Sequence, residues 1–435
     1  MKIAILGFAG QGKSAYEYWN RDGNEVTICD TKTDIVVPEG ALRQLGADYL
    51  KDLDRFDVIV RTPALHPGDI VKANSEAILE KVTSVTNEFF KVSPTKNIIG
   101  VTGTKGKGTT STLISKMLEA DGLKVHLGGN IGIPPLELLK NKILPDDWVV
   151  LELANFQLID LKDSPVIAVC LMVEAEHMDW HADMREYIAA KQQLFQWQDS
   201  DDTAVFYGSN DHSKQVVSVS PAKKIPYFIE PGAIVKDGSV QIADQLICRT
   251  SEIKLLGEHN WQNVCAAITA VWQISKNVSA IRSVATTFAG LPFRIELRRE
   301  LNGVRYYNDS FASAPDASIA AMRAISGPKV MIVGGFDRGL DLTKFAEQLK
   351  VSESEIRQLI VIGQSAHRTA EALESAGYQN FAISGARDMP TIIAEAKAYA
   401  QTGDAVVLSP GFASFDMFDN FEDRGNKFNE AVDAL

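Results

Sequence analysis

The run Gly103-Thr104-Lys105-Gly106-Lys107-Gly108-Thr109 has the residue types needed to hold phosphate. Glycines let successive backbone N–H groups wrap anionic oxygens, and the N-terminus of a following helix adds partial positive charge. Lys107 is spaced to bridge outer phosphates, and a hydroxyl just after such a lysine can hold Mg²⁺. The fit to the usual phosphate-loop spacing is imperfect. Val101 stands at the first glycine, and Gly108 takes the hydroxyl position, leaving Thr109 or Thr110 for a metal.

Other candidates sit where apolar runs end. Gly7-Phe8-Ala9-Gly10-Gln11-Gly12 resembles a dinucleotide-binding turn with Ala9 at its middle glycine, and Asp30 ends the next strand, the place of a ribose-binding acid. A plain turn without ligand fits those residues equally well. Glu152, in Leu151-Glu152-Leu153-Ala154-Asn155-Phe156-Gln157, is a carboxylate beyond a buried strand, suited to Mg²⁺ or to helix capping. His177 follows the run 166–173, and on its own reads as a satisfied polar histidine. Lys191, on a helical pattern, reads as a solvated lysine. Asp309-Ser310, Asp337-Arg338 and Ser409–Asp416 are further polar groups at strand ends.

Three strand–turn–helix blocks position these groups. The first has strands at Lys2–Leu6, Glu25–Cys29 and Phe56–Val60 and closes near Thr95. The second opens with Asn97–Val101, then a helix with Leu113, Ile114, Met117 and Leu118 at helical spacing. Strands Trp148–Leu151 and Val166–Val173 follow, then a polar stretch at 199–255 that reads as turn-rich with short strands, and a helix over 259–275. The third begins after Leu291-Pro292, with strands Val304–Tyr307, Val330–Val333, Leu359–Ile362, Phe381–Ile383 and Ala405–Leu408 alternating with helical patterns near 343–350, 366–376 and 389–400. Such alternation predicts an α/β protein with parallel sheets covered on both faces, binding ligands beyond the carboxyl ends of the strands.

At 435 residues, two to four domains are expected. The net charge of −12 argues against nucleic acid as a main partner, because phosphate backbones demand a basic surface. No uninterrupted apolar stretch is long enough for a membrane span, and the opening apolar run is too short for a signal peptide. Cys29, Cys170, Cys248 and Cys265 lie far apart, as reduced core thiols of a cytoplasmic protein do.

Taken in order, the motifs are more specific than any one of them. After the phosphate loop come Gly129-Asn130-Ile131-Gly132-Ile133-Pro134, the Glu152 segment, His177-Met178-Asp179, Ala190-Lys191, and His259-Asn260 with Asn263. Leu291-Pro292-Phe293-Arg294, Asn308-Asp309-Ser310 and Ser409–Phe428 complete the order. The series resembles the Mur ligase family from end to end. Asn130, Phe156-Gln157 and Asn420-Phe421-Glu422 before Arg424-Gly425-Asn426 resemble its branch that adds D-glutamate to UDP-N-acetylmuramoyl-L-alanine.

The resemblance implies a monomer of three domains: a UDP-binding domain over 1–94, a central phosphate-loop ATPase domain over 95–292, and a Rossmann-like amino-acid domain over 293–435. Gly10, Gln11, Asp30 and Thr31 match the UDP positions, and Asn130 and Gln157 the muramoyl contacts. The loop residues from Gly103 to Thr109, with Asn260, Asn263, Arg294 and Asp309, match ATP contacts; Ser313, Arg338, Ser414 and Phe421 match the amino-acid pocket. Two Mg²⁺ are implied: Glu152 with Thr109 would hold the first, and His177 with a carbamylated Lys191 the second. The implied reaction is ATP-dependent amide formation through an acyl phosphate.

This chain departs from the family pattern at several places. Phe311 replaces a substrate-binding lysine, Phe293 a histidine, Met172 an asparagine, Glu176 an aspartate, Ala154-Asn155 a serine pair, and Arg338 a common lysine. The changes cluster around the substrates more than around ATP, and so bear on the identity and handedness of the added amino acid. Other readings are a folylpolyglutamate synthase-like ligase, a non-catalytic nucleotide binder, and a dehydrogenase using Gly7–Gly12. The first lacks a use for the block before residue 95, and the last leaves Lys107 unexplained.

Overall fold

The computed structural model describes residues 1–21 and 23–435, which divide into two compact units. One comprises Met1–Ile253 and Glu258–Phe288, the other Lys254–Gly257 and Ala289–Leu435.

The first unit holds two parallel sheets. In spatial order the first runs Leu42–Leu45, Glu25–Asp30, Lys2–Leu6, Val58–Arg61, Val82–Ser84. Its central strands are buried on both faces, which is why they read as unbroken apolar runs. The second runs Lys223–Tyr227, Thr203–Tyr207, Ile167–Cys170, Ile98–Thr102, Trp148–Glu152, Val125–Gly129. One core joins the two sheets: Ile3, Ile5 and Phe89 belong to the same buried cluster as Val149, Leu151 and Leu194.

A polar seam runs alongside that core. Arg61, whose side chain is fully buried, donates from Nε and Nη2 to the Asp160 carboxylate at 2.8 and 2.6 Å, and from Nη2 to the Phe156 carbonyl at 3.0 Å. The pair links the end of a first-sheet strand to the segment after Glu152. Truncating one partner leaves a charge poorly solvated, so Arg61→Ala is expected to destabilise the unit by about 2–4 kcal/mol, read by denaturant unfolding. A loss within about 0.5 kcal/mol, ordinary for a surface site, would mean that the seam contributes little.

The short strands expected in 199–255 are present. Thr203–Tyr207 and Lys223–Tyr227 extend the second sheet in parallel, with the helix Asp211–Val217 between them. Lys223, Lys224 and Pro226 lie on the outer strand, and charges and proline are what an edge strand tolerates. A three-stranded antiparallel sheet, Ile234–Lys236, Ser239–Ile242 and Gln245–Arg249, follows.

The second unit's sheet runs Glu296–Leu301, Val304–Asn308, Ala405–Leu408, Lys329–Gly334, Ile356–Ile362, Phe381–Ile383. It is mixed rather than wholly parallel. Asn302 and Gly303, both at positive φ, form a two-residue hairpin turn that adds an antiparallel edge strand. All four cysteines are buried and unpaired. Among the described residues no helix is long and apolar enough to cross a membrane.

Candidate active site

The phosphate-loop residues join the strand Ile98–Thr102 to the helix Lys107–Ala120. Gly106, at φ +89, is the residue before that helix, and a Cβ there would stand 2.2 Å from Asn263 Oδ1. Glycine is therefore required both by the backbone angle and by the asparagine packed against the loop. Asn263 in turn accepts from Thr110 Oγ1 at 3.4 Å and donates to Asn260 Oδ1 at 2.9 Å. The structure thus brings Asn260 and Asn263 to the loop from a helix about 150 residues away in sequence. It also separates the two candidate hydroxyls: Thr110 is buried against Asn263, whereas Thr109 is half-buried.

Thr104 is a brace rather than an open contact. Its hydroxyl bonds with the Glu174 carbonyl and the Tyr187 hydroxyl, both at 3.0 Å, and accepts from Glu174 N. Lys105 is exposed. Lys107 Nζ donates to the carbonyls of Thr104 at 2.9 Å and Gly103 at 3.2 Å.

Lys191 is not a solvated lysine. It is fully buried on the helix Met184–Gln196, and its Nζ donates to the same Gly103 carbonyl at 3.1 Å, 4.3 Å from the centre of the Tyr187 ring. Two amines sharing one acceptor resist both being charged. Burial, with the nearby Lys107 charge, pulls the Lys191 amine down to about 7. His177 adopts a left-handed backbone at φ +59, packs on Phe156 at 4.7 Å, and is half-buried. Burial holds its imidazole below the usual range; Lys107 and Lys191 push the same way, and Glu176 and Asp179 oppose them.

Glu152 ends the strand next to the loop strand, Val101 pairing with it in register. Only 4% exposed, it accepts from Asn130 Nδ2 at 2.9 Å through Oε1, while its buried Oε2 has no partner. An orphaned carboxylate oxygen beside a phosphate loop fits a divalent cation. The second implied ion is another matter, since an ammonium at Lys191 repels a cation and a neutral amine suits a hard, oxygen-seeking ion poorly, so an anionic oxygen-bearing derivative of it would serve best.

Asp30 is engaged already: its two oxygens accept from Phe8 N at 2.8 Å and Lys32 N at 2.9 Å, tying the glycine turn to the next strand. The helix expected to follow Gly12 begins at Gly10, so Gly10 and Gln11 form its first turn. Gly10 and Thr31 are exposed. Gln157 is 1% exposed; Oε1 accepts from Ala154 N at 3.0 Å and Nε2 is buried without a partner.

In the second unit, Arg294 lies over the Phe311 ring at 3.6 Å, and Phe311 packs edge-on against Phe421 at 5.1 Å. Ser414 is buried, Ser313 half-buried and Arg338 exposed. The residue that organises this region is Arg424, which the sequence motif contains but gives no role. Fully buried, it donates to Ser310 Oγ at 3.0 Å, the Ser310 carbonyl at 2.8 Å and the Phe412 carbonyl at 3.1 Å. It thereby ties Ser310, 114 residues away in sequence, to the segment around Phe412 and Arg424. Nothing local marks an arginine in a helix as buried.

Asp309 accepts from Ser409 Oγ at 2.6 Å and Ile295 N at 3.1 Å. Burial pushes its carboxyl up to about 7, against the pull of those two donors and of Arg294 and Arg424. An unfolded aspartate ionises near pH 4, so between there and about 7 only the folded state keeps the proton. Stability from this group is full below the unfolded value and is lost as pH rises through the folded one. Raising pH from 5 to 8 should therefore favour Asp309→Asn over the parent by about 2–3 kcal/mol in denaturant unfolding. A gap that does not move with pH would reject burial as the cause.

A parallel α/β unit whose glycine-rich loop is flanked by a buried carboxylate and two converging lysines has the residue types of a nucleotide-phosphate site. Residues 101–271 match the Mur ligase middle domain, and residues 293–412 match the Mur ligase, glutamate ligase domain. The UDP-N-acetylmuramoylalanine--D-glutamate ligase of Clostridium kluyveri is 36% identical over 451 residues, covering 100% of this chain and 97% of its own. The enzyme of the same name from Acetivibrio thermocellus is 36% identical over 460 residues, covering 100% and 96%. The MurF ligase of Thermotoga maritima, solved in complex with ADP, shares the fold at TM-score 0.61 and 17% identity over 99% of this chain and 95% of that one. The chain belongs to the Mur ligase family and is a ligase.

Proposed function

We propose that this ligase uses ATP and Mg²⁺ to join D-glutamate to UDP-N-acetylmuramoyl-L-alanine, a step of peptidoglycan precursor synthesis. The observation that carries the reading is the 36% identity, over the whole chain, to relatives named for that reaction. Under this reading the enzyme works in the cytoplasm as a monomer. The division at 1–94, 95–292 and 293–435 then separates UDP, ATP and amino-acid duties.

The chemistry follows from what a carboxylate lacks. It is a poor electrophile, so its oxygen first attacks the γ-phosphorus of ATP, releasing ADP and leaving an acyl phosphate. The amide groups at the start of helix Lys107–Ala120 hold phosphate oxygens, and Lys107 exchanges its carbonyl partners for them, neutralising charge as the phosphoryl group moves. Asn263 keeps the loop in shape through its contact at Gly106. Glu152, with Thr109, would hold Mg²⁺, and His177 with a carbamate on Lys191 a second ion; such ions screen phosphate charge and orient the transferred group. The glutamate amine then attacks the acyl carbon, loses a proton, and the tetrahedral intermediate expels phosphate. Ser313, Arg338, Ser414 and Phe421 are the residues assigned to the amino acid. Arg338 would clamp a carboxylate with two parallel bonds, offsetting the missing lysine at Phe311.

The test is phosphate release with ATP, Mg²⁺ and UDP-N-acetylmuramoyl-L-alanine, comparing D-glutamate, L-glutamate and no amino acid. Release that needs D-glutamate supports the reading; release with L-glutamate alone reverses the handedness. None with either, despite ATP binding, refutes the ligase assignment for this acceptor.

A further inference from the structure

Glu186, His181 and Asn155 form a chain of hydrogen bonds outside the residues assigned so far. Asp183 caps the helix Met184–Gln196 by accepting from Glu186 N at 2.9 Å, which sets Glu186 in its first turn. Glu186 Oε2 accepts from His181 Nδ1 at 3.1 Å and from Ala182 N at 2.9 Å. His181, only 3% exposed, turns its other nitrogen to Asn155 Nδ2 at 2.7 Å. His66 Nε2 stands 3.4 Å from the second Glu186 oxygen.

Ligand atoms of His66, His181 and Glu186 lie within 4.8 Å of one another, a spacing that also suits a metal. The hydrogen bonds oppose that reading. His66 Nδ1 accepts from Gly68 N at 3.0 Å, so the neutral ring carries its proton on Nε2 and has no lone pair there for an ion. His181 likewise points N–H at the carboxylate and spends its lone pair on Asn155. Burial holds His181 below the usual histidine range, with Glu186 opposing, which suits the neutral ring.

The two ends of this chain of bonds belong to two loops. Asn155 opens the short helix Asn155–Leu158, next to Phe156 and Gln157. The backbone N–H of His181 donates to the His177 carbonyl at 3.0 Å, closing the turn in which His177 takes its left-handed angle. The His181 ring lies 6° from parallel to Phe156 at 6.5 Å and edge-on to Tyr187 at 5.3 Å. We propose that His181 is a positioning residue, which through Asn155 holds the Phe156-Gln157 turn in register with the His177 loop. This gives Asn155, one of the departures from the family pattern, a specific partner. The inference rests on the ligase reading for its functional consequence.

The phosphate loop has its own supports at Thr104 and Gly106, so the effect should fall on the nucleotide-sugar substrate and spare the adenine nucleotide. His181→Phe keeps a flat ring and the stacking but removes both polar links; Asn155→Ala removes one. Each is expected to raise KM for UDP-N-acetylmuramoyl-L-alanine about tenfold. ADP affinity by calorimetry should stay within about twofold, and the double variant should be no worse than His181→Phe alone. Additive losses, a parallel loss of ADP affinity, or variants that match the parent would overturn the proposal. If the parent shows no turnover, calorimetric Kd for the same UDP compound replaces KM. A parent that neither turns over nor binds it sinks the ligase reading and this inference together, whereas a working parent with unaffected variants sinks this inference alone.

Discussion

Lys107→Ala should reduce ATP-dependent phosphate release by about a hundredfold to a thousandfold while leaving the fold intact. Lys107 is half-buried at the first turn of its helix and donates to two loop carbonyls, so its removal takes little packing away. What disappears is a positive charge where the transferred phosphoryl group gathers negative charge. The helix N-terminus and its amides remain, so nucleotide affinity should fall far less than kcat. The variant also removes a neighbour that depresses the Lys191 amine, whose basicity should therefore rise. Phosphate release and ADP calorimetry on the same sample check both parts. Near-normal turnover would refute the phosphate-loop assignment.

Lys191→Ala should lose about a hundredfold or more in kcat, and added acetate or formate should restore part of it. A lysine that is fully buried, shares the Gly103 carbonyl with Lys107 and is pulled down to about 7 by burial is not a surface charge. Its neutral amine is a nucleophile toward carbon dioxide; as the N–C bond forms the nitrogen gives up a proton to solvent, and the product is a carbamate, an anion where a lysine is ordinarily a cation. A small carboxylate diffusing into the space left by Lys191→Ala supplies the same charge. Lys191→Arg keeps the positive charge, cannot form the carbamate and leaves no such space, so it should be inactive and unresponsive to acetate. Rescue of the arginine variant, or full activity of the alanine variant, would refute the carbamate. Carbon-13 bicarbonate labelling gives an independent signal for the modified lysine.

Several residues show where reading the chain in order works and where it fails. The phosphate loop, the strand ends that carry Glu152, Asp30 and Asp309, and most strand and helix bounds are local patterns. They depend on apolar period and on glycine within a few residues, so they are legible without a partner. The short strands of 199–255 are legible in the same way, whereas the place of Lys223–Tyr227 at the sheet edge, where lysines and proline are tolerated, is not. Asn302-Gly303 is a readable hairpin signal, but the alternation of strands and helices draws attention to parallel pairing instead.

By itself the sequence determined the class of fold, the glycine-rich loop between strand and helix, and the order of motifs that marks the family. Local backbone geometry and side-chain period are set by near neighbours, and a motif's order survives without any contact being known. Only the tertiary structure decided that Lys191 is buried against the carbonyl of Gly103, 88 residues away, and that Asn263 closes on Gly106. It likewise decided that Arg424 gathers Ser310 and Phe412, and that His181 reaches Asn155. Each of these is a polar group taken out of water, and its character depends on partners that chain folding brings from far off. A lysine reads the same in a list whether water or a buried carbonyl surrounds it; desolvation is what separates the two.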